Sequence, residues 1–75
     1  MGKAEKVRIL MVKRGNMTAA TLAEKMGISP QALSRKLNKE KFTEADMGKI
    51  AEILNCSWNV ESREWFTLND TGEEI

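Results

Sequence analysis

Seventy-five residues, 41% of them hydrophobic, make one small domain, near the lower limit for a stable core without staples. The single cysteine, Cys56, excludes an intramolecular disulfide, the lack of histidine excludes the usual zinc site and a histidine acid–base catalyst, and no apolar stretch is long enough to span a membrane or form a signal-peptide core. The formal net charge of +1 hides an asymmetry: residues 1–41 carry ten Lys/Arg against three Glu, +7, and residues 42–75 carry two Lys/Arg against eight Asp/Glu, −6.

The first helix is expected over residues 3–14, where Val7, Leu10 and Met11 recur at i, i+3 and i+4. Ile9 and Val12 lie off that stripe and predict a helix wrapped on two sides. Lys13 and Arg14 favour its C-terminal dipole, and Gly15-Asn16 ends it. A second helix over 18–26 turns Leu22, Ala23 and Met26 to one face. Gly27 follows where a helix most easily ends, because glycine takes positive φ without a Cβ clash. Ile28 is suited to plug the corner. Ser29 offers an oxygen to the unpaired N–H groups of a new helix, and Pro30 sits in its first turn, where no donor is missed. In this third helix, 30–38, Leu33 and Leu37 repeat at i and i+4 and bury one narrow stripe. Residues 18–38 thus form a helix-turn-helix.

The third helix carries the functional reading. Steps of roughly 100° per residue put Gln31 and Arg35 opposite Leu33 and Leu37. Asn38 and small Ala32 flank them, with Ser34 nearer the edge. Arginine grips the O6/N7 edge of guanine with two hydrogen bonds, and glutamine does the same to adenine N6/N7. The plainer alternative is that both side chains are merely solvated. The pattern Thr18-x-x-x-Leu22-Ala23-x-x-x-Gly27-Ile28-Ser29-x-x-x-Leu33-Ser34-Arg35 resembles the helix-turn-helix of phage repressors and Cro proteins, the XRE-type regulators, over about residues 5–55. The resemblance implies base reading by Gln31 and Arg35, with Ser29 and Ser34 in support. It also implies phosphate contacts at Thr18, Asn38, Lys39 and Lys41. Two positions depart from the pattern: Ala19 and Pro30 stand where such proteins often carry glutamine, which removes two polar contacts.

Beyond the third helix, Phe42 is expected to pack into the core and fix the loop carrying Lys39 and Lys41. Thr43 with Asp46 resembles a capping box before a fourth helix over 44–54, whose Met47, Ile50, Ala51 and Leu54 share a face. Asn55 is a left-handed terminator. Met11, Met17, Met26 and Met47 fall at core positions, and Cys56 reads as a buried small residue rather than a nucleophile. Residues 64–68 have high β propensity, and Asn69-Asp70-Thr71-Gly72 is a turn sequence, so 73–75 should return alongside as a hairpin, with Trp58 and Val60 in a preceding extended segment. The expected fold class is mainly α: a four-helix, repressor-like helix-turn-helix domain over 1–56 with a β-hairpin extension over 57–75. The hairpin edge at Trp65, Phe66 and Leu68 is expected to pair with its copy in a homodimer, setting two reading helices about 34 Å apart on a palindromic operator.

These features predict a sequence-specific double-stranded DNA-binding transcriptional regulator, a repressor or Cro-like protein of the bacterial or phage-encoded cytoplasm. No convergent nucleophile, base or phosphate-binding loop points to an enzyme, and no cofactor or metal is implied. Two alternatives stay open: an antitoxin-type regulator whose C-terminal tail grips a protein partner, and a helix-turn-helix used only for protein contacts.

Overall fold

The computed structural model describes residues 2–61 and 64–75. Its elements run α1 (Lys3–Lys13), α2 (Ala19–Met26), α3 (Pro30–Lys39), α4 (Glu44–Ile53), β1 (Cys56–Asn59) and β2 (Trp65–Leu68). The helix ends follow the chemistry of their flanking residues. Thr18, Ser29 and Thr43 stand in extended conformation before α2, α3 and α4, and each side chain accepts from an amide three residues on. The Asp46 carboxylate accepts in return from the Thr43 amide at 3.0 Å, which completes a capping box with aspartate in place of the usual glutamate. Left-handed residues follow the helices: Gly15 and Asn16 after α1, and Asn55 (φ 59) after α4, which ends at Ile53.

The core draws on every element. Val7 and Leu10 of α1, Leu22 of α2, Leu33 of α3, Met47 and Ile50 of α4 and Phe66 of β2 are all fully buried. Met11, Met26, Phe42, Leu54 and Cys56 join them, and Met17 packs at the rim. Val12 departs from expectation. It is 64% exposed, because it lies roughly 100° beyond Met11 and none of the described elements covers that side of α1; Ile9 is half-buried.

The C-terminal region contains the expected hairpin and one strand more. Phe66 exchanges both backbone hydrogen bonds with Ile75, each 2.9 Å, and the Leu68 amide donates to Glu73 O at 2.8 Å around left-handed Gly72. On its other side β2 pairs antiparallel with β1, from Cys56 opposite Leu68 to Asn59 opposite Trp65. This is the strand whose Trp65–Leu68 edge was expected to pair with a second copy. Both sides of β2 are occupied within the chain. Phe66 and Leu68 are core residues, and Trp65 is half-buried with its indole N–H donating to Thr67 Oγ1 at 3.1 Å. The Trp58 ring packs on Phe66 at a centroid distance of 4.7 Å. The apolar side chains that a dimer was to cover are covered by the chain itself.

Arg14 ties this region to the helices. Its Nε donates to Leu54 O (2.8 Å) and Nη2 to Asn55 O (3.0 Å), capping the end of α4, while Nη1 and Nη2 grip both carboxylate oxygens of Asp70 at 2.8 Å each. Planar guanidinium geometry makes both tasks possible at once. The hydrogen bond from Arg14 holds the Asp70 carboxyl down to about 2, from an ordinary 3.8. A carboxyl with a depressed folded pKa stabilises the fold above its unfolded value, and that stabilisation is lost as pH falls through the folded value. The melting-temperature difference between the wild type and Asp70→Asn should therefore be largest above about pH 5 and shrink towards about pH 2. A difference that persists undiminished at the acid end would show that the ion pair is not what holds the turn.

The docking of α3 has its own test. Leu33 is fully buried and Leu37 is 9% exposed, and they are the buried residues of that helix. Leu33→Ala should lower the unfolding free energy in urea by about 2–5 kcal/mol, the usual cost of emptying a packed leucine site. A loss below about 1 kcal/mol would mean that the helix is held by something other than this stripe.

Candidate nucleic-acid interface

The interface is built from a corner and the helix that leaves it. At the end of α2 the Ile28 amide donates to Ala23 O (3.0 Å) and the Gly27 amide to Glu24 O (3.1 Å). This six-to-one and five-to-two pair is a Schellman motif, which requires a left-handed residue between, and Gly27 has φ 77. Half-buried Ile28 packs against the core just beyond, so the chain turns sharply and cannot continue α2. Ser29 then caps α3 by accepting from the Ala32 amide at 3.1 Å, and Pro30 supplies a preset φ in the first turn.

Only one side of α3 is needed for docking. With Leu33 and Leu37 inward, the exposed arc runs through Ser34, Asn38, Gln31, Arg35 and Lys39, with half-buried Ala32 and Lys36 on its far flank. The arc is graded. Neutral hydrogen-bonding groups occupy one flank, Arg35 the crest, and cations the other. Arg35, Lys36, Lys39 and Lys41 with Ala32 line an open cavity of about 240 Å³ beside the helix.

The sequence-predicted residues divide accordingly. Gln31, Ser34, Arg35, Asn38, Lys39 and Lys41 are all exposed and lie on α3 or the loop after it. Thr18 and Ser29 are exposed at the starts of α2 and α3, but each already serves as a cap. The Thr18 Oγ1 accepts from the Thr21 amide at 3.2 Å and donates to Thr21 Oγ1 at 2.9 Å. The Ser29 hydroxyl oxygen accepts from the Ala32 amide, and among the described residues its proton has no acceptor. Lys36 was not singled out by the sequence, because it adjoins buried Leu37. Its Nζ lies 2.8 Å from Asp46 Oδ2. Burial works to raise the Asp46 carboxyl, but the hydrogen bond from Lys36, helped by the Thr43 amide, outweighs it and leaves the group below its ordinary value. One carboxylate thus caps α4 and anchors a lysine of α3.

The basic half of the chain splits in two when it folds. Lys3 pairs with Glu44 (3.1 Å) and Glu64 (3.5 Å), Lys13 with Glu73 (2.8 Å) and Arg14 with Asp70, so cations of α1 meet carboxylates from the acidic half. Arg35, Lys39 and Lys41 have no ion-pair partner among the described residues. Positive charge left uncompensated at α3 is the electrostatic footprint of a polyanion site. Cys56, by contrast, is set into the core 4.0 Å from Arg14 Nη2, and burial pushes its thiol up, away from the thiolate a nucleophile needs. Among the described residues, no three His, Cys, Asp or Glu side chains converge as metal ligands, and no helix is long and apolar enough to cross a membrane.

A family model described as helix-turn-helix, HTH_3, matches residues 7–60. Comparison with curated proteins and with solved structures gives no match. The matched span contains the capped start of α2, the Gly27 corner, the whole of α3 and the loop to α4. The chain belongs to the HTH_3 helix-turn-helix family, of the XRE type to which Cro and repressor proteins conform.

Proposed function

We propose that the chain is a sequence-specific double-stranded DNA-binding transcriptional regulator, repressor or Cro-like, that reads the major groove with α3. The observation that carries this is the graded arc of α3, where Arg35 and Lys39, with Lys41 just beyond, have no ion pair among the described residues, while Lys3, Lys13 and Arg14 are paired within the fold. Gln31 and Arg35 read base edges, with Ser29 and Ser34 in support. Thr18, Asn38, Lys39 and Lys41 hold the sugar–phosphate backbone. Lys36 joins the phosphate side through the cavity it lines with Arg35, Lys39 and Lys41. Residues 57–75 buttress the helices by completing their core. The chain has no catalytic role in this reading and works in the cytoplasm of a bacterium, on its own or a phage's DNA.

One chain presents one reading helix and covers one half-site. On a palindromic operator two copies lie about one helical turn, 34 Å, apart. They are brought together by the duplex rather than through the Trp65–Leu68 edge, since that edge is filled. The antitoxin-type variant needs apolar residues of the tail for a protein partner, and Phe66 and Leu68 are already consumed in the core. A helix-turn-helix used only for protein contacts would not need unpaired cations along the reading helix. Its binding would also lack a steep fall with salt.

Selection of bound sequences from random duplexes tests the reading. Arg35→Ala and Gln31→Ala should each relax preference at one base pair, because a good bidentate contact is worth about 1–3 kcal/mol of discrimination. Lys39→Ala and Lys41→Ala should instead weaken all duplexes alike and lower the salt slope by about one each. If Arg35→Ala reduced affinity equally for every sequence, Arg35 would be a phosphate contact and the base-reading assignment would fall.

A further inference from the structure

We infer that Glu40 is a positioning residue for the phosphate contacts of Lys39 and Lys41, acting through a carboxylate withdrawn onto the N-terminus of α1. The inference rests on the DNA-binding reading above.

Glu40 is out of place by charge. It lies between two lysines assigned to phosphate, where a carboxylate would repel the duplex. It is also out of place by backbone, since it is left-handed (φ 54, ψ 40) at the end of α3, a conformation that favours glycine. Its side chain pairs with neither neighbouring lysine. Instead Oε2 accepts from the Ala4 amide at 3.1 Å, across 36 residues of chain.

The receiving end is prepared for it. The residue before α1 is Gly2, which offers no side-chain oxygen to the first turn, so the helix is capped from outside by Glu40. An anion is favoured there by both the open N–H groups and the helix dipole. Gly2 has an ordinary φ of −81, so it is not needed for backbone freedom. Its lack of a side chain leaves room for the carboxylate: a Cβ at that position would lie 2.6 Å from Glu40 Oε1 and would push the end of that side chain aside. The contact does two things at once. It removes a negative charge from the duplex side, and it fixes the left-handed corner where both the Glu40 and Lys41 amides donate to Lys36 O. Lys39 and Lys41 leave that corner on either side, and both line the basic cavity.

The test measures affinity for one fixed duplex across a salt series in the wild type, Glu40→Gly, Glu40→Gln and Gly2→Ala. Glycine keeps the left-handed corner while deleting the carboxylate, so folding is preserved. Glu40→Gly should bind about three- to tenfold more weakly and show a salt slope smaller by about one, as when one ordered phosphate contact is lost. Glu40→Gln keeps an oxygen for the Ala4 amide and should stay within about twofold of wild type. Gly2→Ala pushes the flexible carboxylate aside and should weaken binding in the same sense, although it removes no charge. The opposite result is what simple charge removal gives: tighter binding by Glu40→Gly. That outcome, or unchanged binding by both Glu40→Gly and Gly2→Ala, would overturn the inference. A wild type that binds no duplex would instead overturn the DNA-binding reading beneath it.

Discussion

Two leucines one helical turn apart decide what this molecule can present. Leu33 and Leu37 are the buried residues of α3, and that narrow stripe is its apolar contact with the core. A wider apolar face would have sunk Arg35 or Gln31 into the protein. A narrower one would have left a ten-residue helix without enough packing to persist, since helices of that length are marginal in water by themselves. The corner before α3 serves the same end. Left-handed Gly27 and capping Ser29 set its direction and start, so the outward arc is fixed by packing on one side and by hydrogen bonds at the end.

Electrostatics then sorts the cations. The chain's basic first half and acidic second half are not two separate faces of the folded molecule. Lys3, Lys13 and Arg14 are matched by Glu44, Glu73 and Asp70 as the C-terminal region folds over α1. Among the described residues, Arg35, Lys39 and Lys41 at α3 and its following loop have no ion pair, as do Lys6, Arg8, Lys25 and Lys49 elsewhere. A net charge of +1 is compatible with a polyanion site, because Glu44, Glu64, Glu73 and Asp70 are spent on Lys3, Lys13 and Arg14 and leave Arg35, Lys39 and Lys41 without an ion pair among the described residues. The Arg14 guanidinium has a second part in this arrangement. By holding the carbonyls of Leu54 and Asn55 it fixes where α4 ends and β1 begins.

Local chemistry was legible in the sequence wherever a feature depended on neighbours within a turn. The caps at Ser29 and Thr43, the left-handed residues Gly27 and Asn55, and the stripes of all four helices follow from residue type and spacing. Features set by distant parts of the chain were not legible. Cys56-Ser57-Trp58-Asn59 has little β pattern of its own and becomes a strand because β2 lies beside it. That pairing places an expected free edge in the middle of a small sheet. Val12 is a core residue by type, but none of the described elements covers it. The bond from Ala4 to Glu40 and the grip of Arg14 on Asp70 span 36 and 56 residues and leave no periodic trace. Of the candidate interface, Gln31 and Arg35 could be placed from the helical repeat and Lys39 and Lys41 from the family resemblance, whereas Lys36 required knowing where Asp46 lies.

The central claim is that α3 and its flanking caps, rather than α1 or the C-terminal strands, meet the duplex. Backbone amide chemical shifts recorded while a bound duplex is titrated in test this most directly. The account predicts that the large changes fall at Thr18–Thr21 and across Ser29–Lys41, with Arg14, Asp70 and the β1–β2 pair nearly unmoved. Changes concentrated in residues 56–75 or along the exposed side of α1 around Val12 would contradict it.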